Sequence, residues 1–335
     1  MIAHFSNLKD LSSALVYQYL LYLGYESKTK YFRTEDFCNE LFIQIDNESD
    51  FVFNFNTLSN SAFSLCEIKT SFERRFQFLN INEFRNYENE RISEFADSET
   101  KLISNLLTNC LNDFPDKYGN SIEERRGDKL IQLKVAKDVD MCIPPTIITT
   151  SKVKLRSFLE NYGSIIVKPI SNHTGFYDGD DDFVWQSTGT QVFSMRDLDE
   201  LPEYFFPTLF QKKIDKSYEI RAFYFNKRIW PMAIFSQKNP KTQLDFRNYD
   251  NERPNRYVPY KFEREMEQKI ISFCQKLKYT TGSLDFVYEE EKDQYSFLEI
   301  NPSGLINMTS RPCNYNIEKF IAEYLIQANE KTNNI

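Results

Sequence analysis

Apolar positions along the chain switch repeatedly between the 3.6-residue and the two-residue period, which predicts a mixed α/β protein. Residues 2–5 read as a strand. Residues 10–23 have a helical period, with Leu11, Leu15, Tyr19 and Leu23 on one face and Gly24 just past the end. Residues 41–45 and 51–55 are short strand candidates, and the second alternates strictly. Residues 98–114 form an amphipathic helix carrying Leu102, Ile103, Leu106, Leu107, Leu111 and Phe114, stopped by Pro115.

A second stretch of pattern begins near residue 120. Asp128 caps a predicted helix over 128–139, Pro144-Pro145 ends it, and 146–149 follows as a strand. A helix over 153–162 closes at Gly163, and 164–169 is an apolar strand bearing Lys168. Residues 171–190 read as a loop with Gly175, Gly179 and Gly189. Strands are expected at 209–211, 219–225 and 229–235, then a long polar loop over 238–259. A helix over 262–277, a hairpin of 283–288 with 295–300, and a helix over 317–328 complete the chain. The expected division is an N-terminal α/β domain over 1–119, a central lobe over 120–205 and a C-terminal lobe over 206–335.

Composition narrows the function. At 335 residues the chain is long enough for about two domains. Its 41 Lys+Arg against 49 Asp+Glu give a net charge of −8, so nucleic acid is not the expected partner. No run approaches the ~18 apolar residues of a membrane span, and the N-terminus lacks the form of a signal peptide. No membrane association is expected. The six cysteines include no Cys-x-x-Cys pair and only His4 and His173 accompany them, which predicts free thiols, no zinc site and a cytoplasmic location. No Gly-x-Gly-x-x-Gly string supports a dinucleotide or kinase reading.

The sharpest chemistry lies in the C-terminal hairpin. Asp285 stands in Gly-Ser-Leu-Asp-Phe-Val, and Glu299 and Asn301 stand in Phe-Leu-Glu-Ile-Asn-Pro. Residues i and i+2 of a strand share a face, so Glu299 and Asn301 project together and Asp285 can face them across the hairpin. Two carboxylates and an amide oxygen are hard ligands that suit Mg²⁺. Lys168, on an apolar strand before a glycine-bearing loop, is placed to meet phosphate oxygens. Lys129, taken alone, reads as an ordinary surface lysine, and His173 as a solvated loop residue. The run Gln211-Lys212-Lys213-Ile214 resembles a hinge whose backbone can pair with an adenine edge. A nearby acid can hold ribose hydroxyls, and Arg221 presents a planar fork to phosphate or carboxylate.

Taken in order, two lysines, a hinge, Glu-x-Arg, an Asp and Glu-x-Asn resemble the ATP-grasp superfamily from about residue 120 to 325. Asp245-Phe246-Arg247-Asn248 resembles a stretch of glutamate-adding peptide ligases. With Arg253-Pro254-Asn255-Arg256-Tyr257, Thr281-Gly282-Ser283-Leu284-Asp285-Phe286 and Ser310-Arg311-Pro312-Cys313-Asn314-Tyr315, it is similar to the ATP-grasp peptide maturases of graspetide synthesis, of the grasp-with-spasm type. The chain departs from that pattern after Asn301-Pro302, where it reads Ser303-Gly304-Leu305 instead of a Gly-Gln-Phe-type run. Phe72-Glu73-Arg74-Arg75 is its only counterpart of the family's aromatic-Arg-Arg stretch.

The resemblance implies an ATP-grasp fold, of α/β (α+β) class, with an N-terminal pre-ATP-grasp domain. It also implies ATP and Mg²⁺ as cofactors, a precursor peptide of leader plus core as partner, and a homodimer. The implied chemistry is phosphorylation of an Asp or Glu side chain of the core, followed by attack of a Ser or Thr hydroxyl or a Lys amine. The implied metal ligands are Asp285, Glu299 and Asn301. The implied nucleotide contacts are Lys129, Lys168, Gln211, Lys212, Ile214, Glu219 and Asn248, and the implied catalytic groups are Arg221, Asp245 and Arg247. Two other functions share these residues: a ligase that adds free amino acids to a peptide or protein, and a non-catalytic ATP-grasp scaffold that binds peptide.

Overall fold

The computed structural model describes residues 1–37, 40–44, 52–56, 68–76, 90–112, 114, 116–119, 128–170, 175–177, 184–186 and 189–332. His173 and Gly179 lie outside them. The chain divides into two compact units. One comprises residues 1–126, 279–282 and 302–335, and the other residues 127–278 and 283–301.

The N-terminal unit is built on β1 (Ile2–Ser6), followed by α1 (Leu11–Tyr22), β2 (Thr29–Arg33), β3 (Glu40–Gln44), β4 (Val52–Asn56), β5 (Thr70–Glu73), α2 (Glu90–Asn112) and β6 (Asp116–Gly119). Strands β2-β1-β5-β6 form a parallel sheet, and β3 and β4 an antiparallel pair. All five residues of β1 are buried, as expected for a central parallel strand. Its core gathers Ala3, Phe5, Phe32, Ile68, Phe76 and Leu111. Gly119 is confined by contact: a Cβ there would meet the Glu73 carbonyl oxygen at 2.0 Å, and its φ is +112°.

Helix α1 corrects the face expected from sequence. Its buried residues are Ser12, Ser13, Val16 and Leu20, while Leu11 is 58% exposed. The helix is apolar nearly all round, so the period carries little contrast, and polar partners decide the facing. Ser13 meets the buried His4 ring (Nε2 to Oγ, 2.6 Å), and Asp10 caps the helix while pairing with the buried Arg74 at 3.0 Å. Leu102 of α2 is likewise solvent-facing.

The second unit continues with α3 (Lys129–Asp138), β7 (Thr146–Ser151), α4 (Lys152–Tyr162), β8 (Ile165–Lys168), β9 (Gly175–Tyr177), β10 (Val184–Gln186), β11 (Gln191–Phe193), α5 (Met195–Glu200) and β12 (Tyr204–Lys212). Strands β11-β8-β12-β7 form an antiparallel sheet covered by α4 and α5 through Leu155, Leu159 and Leu198. The stretch expected as loop over 171–190 holds the antiparallel pair β9–β10. Such three-residue strands are too short for a sequence period to reveal.

Then come β13 (Tyr218–Phe225), β14 (Arg228–Phe235), β15 (Arg256–Pro259), α6 (Arg264–Lys276), β16 (Thr281–Glu289) and β17 (Gln294–Asn301), in a sheet of order β15-β14-β13-β16-β17. The polar segment 238–259 thus ends in an edge strand, and its turns are tied by the Asn239, Thr242 and Asp250 side chains. Two further helices, α7 (Ile306–Cys313) and α8 (Ile317–Thr332), belong to the N-terminal unit, where α8 packs on α1. Among the described residues no helix is long and apolar enough to cross a membrane, and Cys110, Cys142, Cys274 and Cys313 are free thiols.

Candidate functional site

The site is built on the second unit's five-stranded sheet. Asp285 of β16 and Glu299 of β17 are register partners, and Asn301, two residues on, is paired with Ser283. Register partners across an antiparallel pair hold their Cβ atoms about 5 Å apart. Two carboxylates so placed repel each other unless cations answer them, and three cationic side chains do. Arg221 of β13 donates through one nitrogen to both Asp285 oxygens, at 3.1 Å each. Arg247 donates to Glu299 Oε1 at 3.2 Å. Lys129, in the first turn of α3, lies 3.7 Å from Glu299 Oε2 and donates to the Pro169 carbonyl at 3.3 Å.

Asp245 and Arg247 form a two-residue clamp. The Arg247 Nε donates to Asp245 Oδ1 at 2.9 Å and its Nη2 to Oδ2 at 2.7 Å, a fork geometry that also aims the guanidinium at Glu299. Lys168 enters from β8, donating to Gln211 Oε1 at 3.2 Å, while Gln211 donates to Thr146 at 3.0 Å. Gln211 is buried, so it fixes the lysine from below.

Electrostatics follow from burial. Desolvation pulls the Lys168 ammonium down to about 8, against the opposing pull of Glu299, with Arg247 and Lys129 adding to the drop. Desolvation pushes the Asp285 carboxyl up, and Arg221 opposes it. Desolvation lifts Glu219 to about 7, against its ion pair with Lys216. Burial also raises Asp245, but the Arg247 hydrogen bonds and charge outweigh it and hold that carboxyl low.

Most of the sequence-predicted residues converge. Lys129, Lys168, Gln211, Arg221, Asp245, Arg247, Asp285 and Glu299 form one chain of contacts and charge interactions, and Glu219 shares the face of Arg221. Three do not join by their side chains. Lys212 lies over the Tyr162 ring at 5.9 Å while its backbone N–H donates to Pro145. Ile214 offers its carbonyl to the Lys216 N–H, and exposed Asn248 donates its backbone N–H to Asp245. Lys216 was not singled out by sequence. It pairs with Glu219 and donates to the Leu244 carbonyl at 2.9 Å, joining strand β13 to the Asp245–Arg247 turn. A lysine three residues before an acid carries no signal until the turn's carbonyl is seen beside it.

Among the described residues there is no group of three or more His, Cys, Asp or Glu placed to hold a metal. Asp285, Glu299 and Asn301, on one strand pair, are two carboxylates and an amide, oxygen donors of the hard kind Mg²⁺ takes. Two buried polar atoms beside it, Glu219 Oε2 and Arg221 Nε, have no hydrogen-bond partner among the described residues, as suits a polar ligand at this face.

No family model matches the sequence, and no curated protein does. Solved structures do. The chain is similar to a RiPP-associated ATP-grasp ligase of Chryseobacterium gregarium, solved with ADP and a leader and core peptide, at 22% identity and TM-score 0.80 over 97% of this chain and 96% of that one. It is similar to the macrocyclase MdnC of Microcystis aeruginosa MRC, bound with precursor peptide MdnA, at 21% identity and TM-score 0.77 over 98% and 100%. The ATP-grasp ligase PsnB, solved with a phosphomimetic variant of its minimal precursor, Mg and ADP, gives 16% identity and TM-score 0.71 over 98% of each chain. The chain therefore has the ATP-grasp fold, in the form shared by these peptide ligases and macrocyclases.

Proposed function

We propose that this protein is an ATP-dependent peptide macrocyclase. It transfers the γ-phosphoryl group of ATP to an Asp or Glu side chain of a precursor peptide and releases ADP. A Ser or Thr hydroxyl, or a Lys amine, of the same peptide then attacks the acyl carbon and expels phosphate, which carries away the nucleophile's proton, leaving an ω-ester or ω-amide link. The observation that carries this reading is the pairing of Asp285 with Glu299 within reach of Arg221, Arg247 and Lys129. A peptide carboxylate meeting a triphosphate is anion against anion, so the barrier is electrostatic and cations must answer it.

Asp285, Glu299 and Asn301 would hold Mg²⁺, which supplies charge neutralisation on phosphate oxygens when bound. Lys129 and Lys168 bind phosphate, Lys168 in a setting dry enough to lower its own pKa. Backbone groups of the 211–214 segment receive the adenine edge, and Glu219 the ribose. Arg221 steadies the transferring phosphoryl group. Arg247 holds the acceptor carboxylate and then its phosphate. Asp245, kept ionised by Arg247, orients the nucleophile's hydrogen instead of retaining its proton. The neighbours solved with precursor, ADP and Mg support the choice of peptide, nucleotide and metal.

The test is to incubate the protein with ATP, Mg²⁺ and the candidate precursor peptide and to weigh the product. Release of ADP with loss of one water per link is expected. A mass gain of whole amino-acid residues would identify a residue-adding ligase instead, and peptide binding without ADP release would identify a scaffold.

A further inference from the structure

Strand β17 is the outer strand of its sheet on the side opposite β15. Its outward-facing backbone groups need partners, since an open edge leaves N–H and C=O groups unsatisfied. The edge is closed at two points that bracket Glu299. The Phe297 N–H donates to the Cys142 carbonyl at 2.8 Å. The Gln132 side chain pairs with both backbone groups of Ile300: its Nε2 donates to the Ile300 carbonyl at 3.0 Å, and its Oε1 accepts from the Ile300 N–H at 3.1 Å. Gln132 is 3% exposed, and Ile300 is the residue between Glu299 and Asn301.

The ladder on the other side of β17 is irregular at the same place. The register with β16 shifts between the Asp285–Glu299 and Phe286–Phe297 pairs, leaving Leu298 as an extra residue. Such a bulge bends and loosens the strand locally. An amide that takes both groups of one residue acts like a short piece of neighbouring strand, and here it does so where the ladder is weakest. Gln132 also lies one turn along α3 from Lys129, so a single helix face reaches both the Glu299 side chain and the backbone after it.

We propose that Gln132 is a positioning residue for the metal: by clamping the Ile300 backbone it fixes the angle at which Glu299 and Asn301 present their oxygens. This rests on the reading of Asp285, Glu299 and Asn301 as the Mg²⁺ ligands. Partners that orient metal ligands from behind are worth about 10–100-fold in metal affinity when removed.

The experiment is equilibrium binding of ADP by calorimetry, with excess Mg²⁺ and again in EDTA, for the wild type and for Gln132→Met, which matches the side chain's length and removes both hydrogen bonds. The wild type is expected to bind ADP more tightly with Mg²⁺. The variant is expected to match it in EDTA but to lose about 10-fold or more of the Mg²⁺-dependent gain. Equal gain in the two proteins overturns the inference, whatever happens to thermal stability, and so does equal weakening with and without metal. If the wild type shows no Mg²⁺ gain, the ligand assignment fails instead. Should Gln132→Met not fold, Gln132→Asn, one methylene too short to reach both groups, is read in the same way.

Discussion

Arg221 places a single nitrogen 3.1 Å from each oxygen of Asp285, and both side chains are buried. Asp285 also faces Glu299 across the strand pair, so the arginine is what makes its charge tolerable. Replacing Arg221 with Met strands a buried carboxylate, and chemical denaturation should show a loss of about 3–5 kcal/mol. Adding Asp285→Asn should recover most of that stability while ADP release stays about 10²–10³-fold down. A double variant no more stable than the single one would show that the pair is not the source of the loss.

Arg247 contacts Asp245 and Glu299 but no residue of the 211–214 segment in any described contact. Arg247→Ala should keep ADP binding and lower peptide cross-linking by about 10²–10³-fold. Arg247→Lys should not restore it, because a point charge cannot reproduce the fork on Asp245. Normal cyclisation by Arg247→Ala would remove this residue from the chemistry.

Nucleotide affinity should depend on pH through Lys168. Burial lowers its pKa to about 8, so the free protein loses that proton as pH rises through 8. An anionic phosphate binds the protonated form, so binding above pH 8 must be accompanied by proton uptake. Affinity should be level below pH 8 and fall by up to about tenfold per unit above it. Lys168→Arg stays charged and should flatten the profile. A wild-type profile that is flat from neutral pH to well above 8 would remove the lysine from the phosphate site.

His4 should make the N-terminal unit acid-sensitive. Burial, aided by the charge of Arg74, lowers its pKa from 6.5 to about 3. The unfolded chain takes up a proton as pH falls below 6.5 and the folded one does not. Stability is therefore complete above pH 6.5 and is lost progressively down to about pH 3, by an amount on the order of 5 kcal/mol. In His4→Phe, whose ring suits a pocket lined by Tyr17, Tyr31 and Phe72, unfolding curves should lose that slope.

What the sequence revealed, and what it hid, follows from how local each signal is. The hairpin carrying Asp285, Glu299 and Asn301 is local: two apolar strands with polar residues at a fixed parity, and its pairing is found as read. Strands β2, β5 and β6 are short parallel strands whose partners lie tens of residues away, so nothing within their own windows marks them. The buried face of α1 depended on His4, Arg74 and Asn307, all outside the helix. Gln132 and Lys216 are legible only once a distant backbone group is placed beside them, since the first answers Ile300 and the second Leu244.

The N-terminal unit includes residues 302–335, and Arg74 donates to the carbonyls of Ser303 and Gly304 at 3.1 Å each. A growing chain therefore cannot finish its first unit until its last helix has been synthesised. Until then the α1 surface that receives α8 is left without its cover, while the second unit, complete at residue 301, is free to fold first.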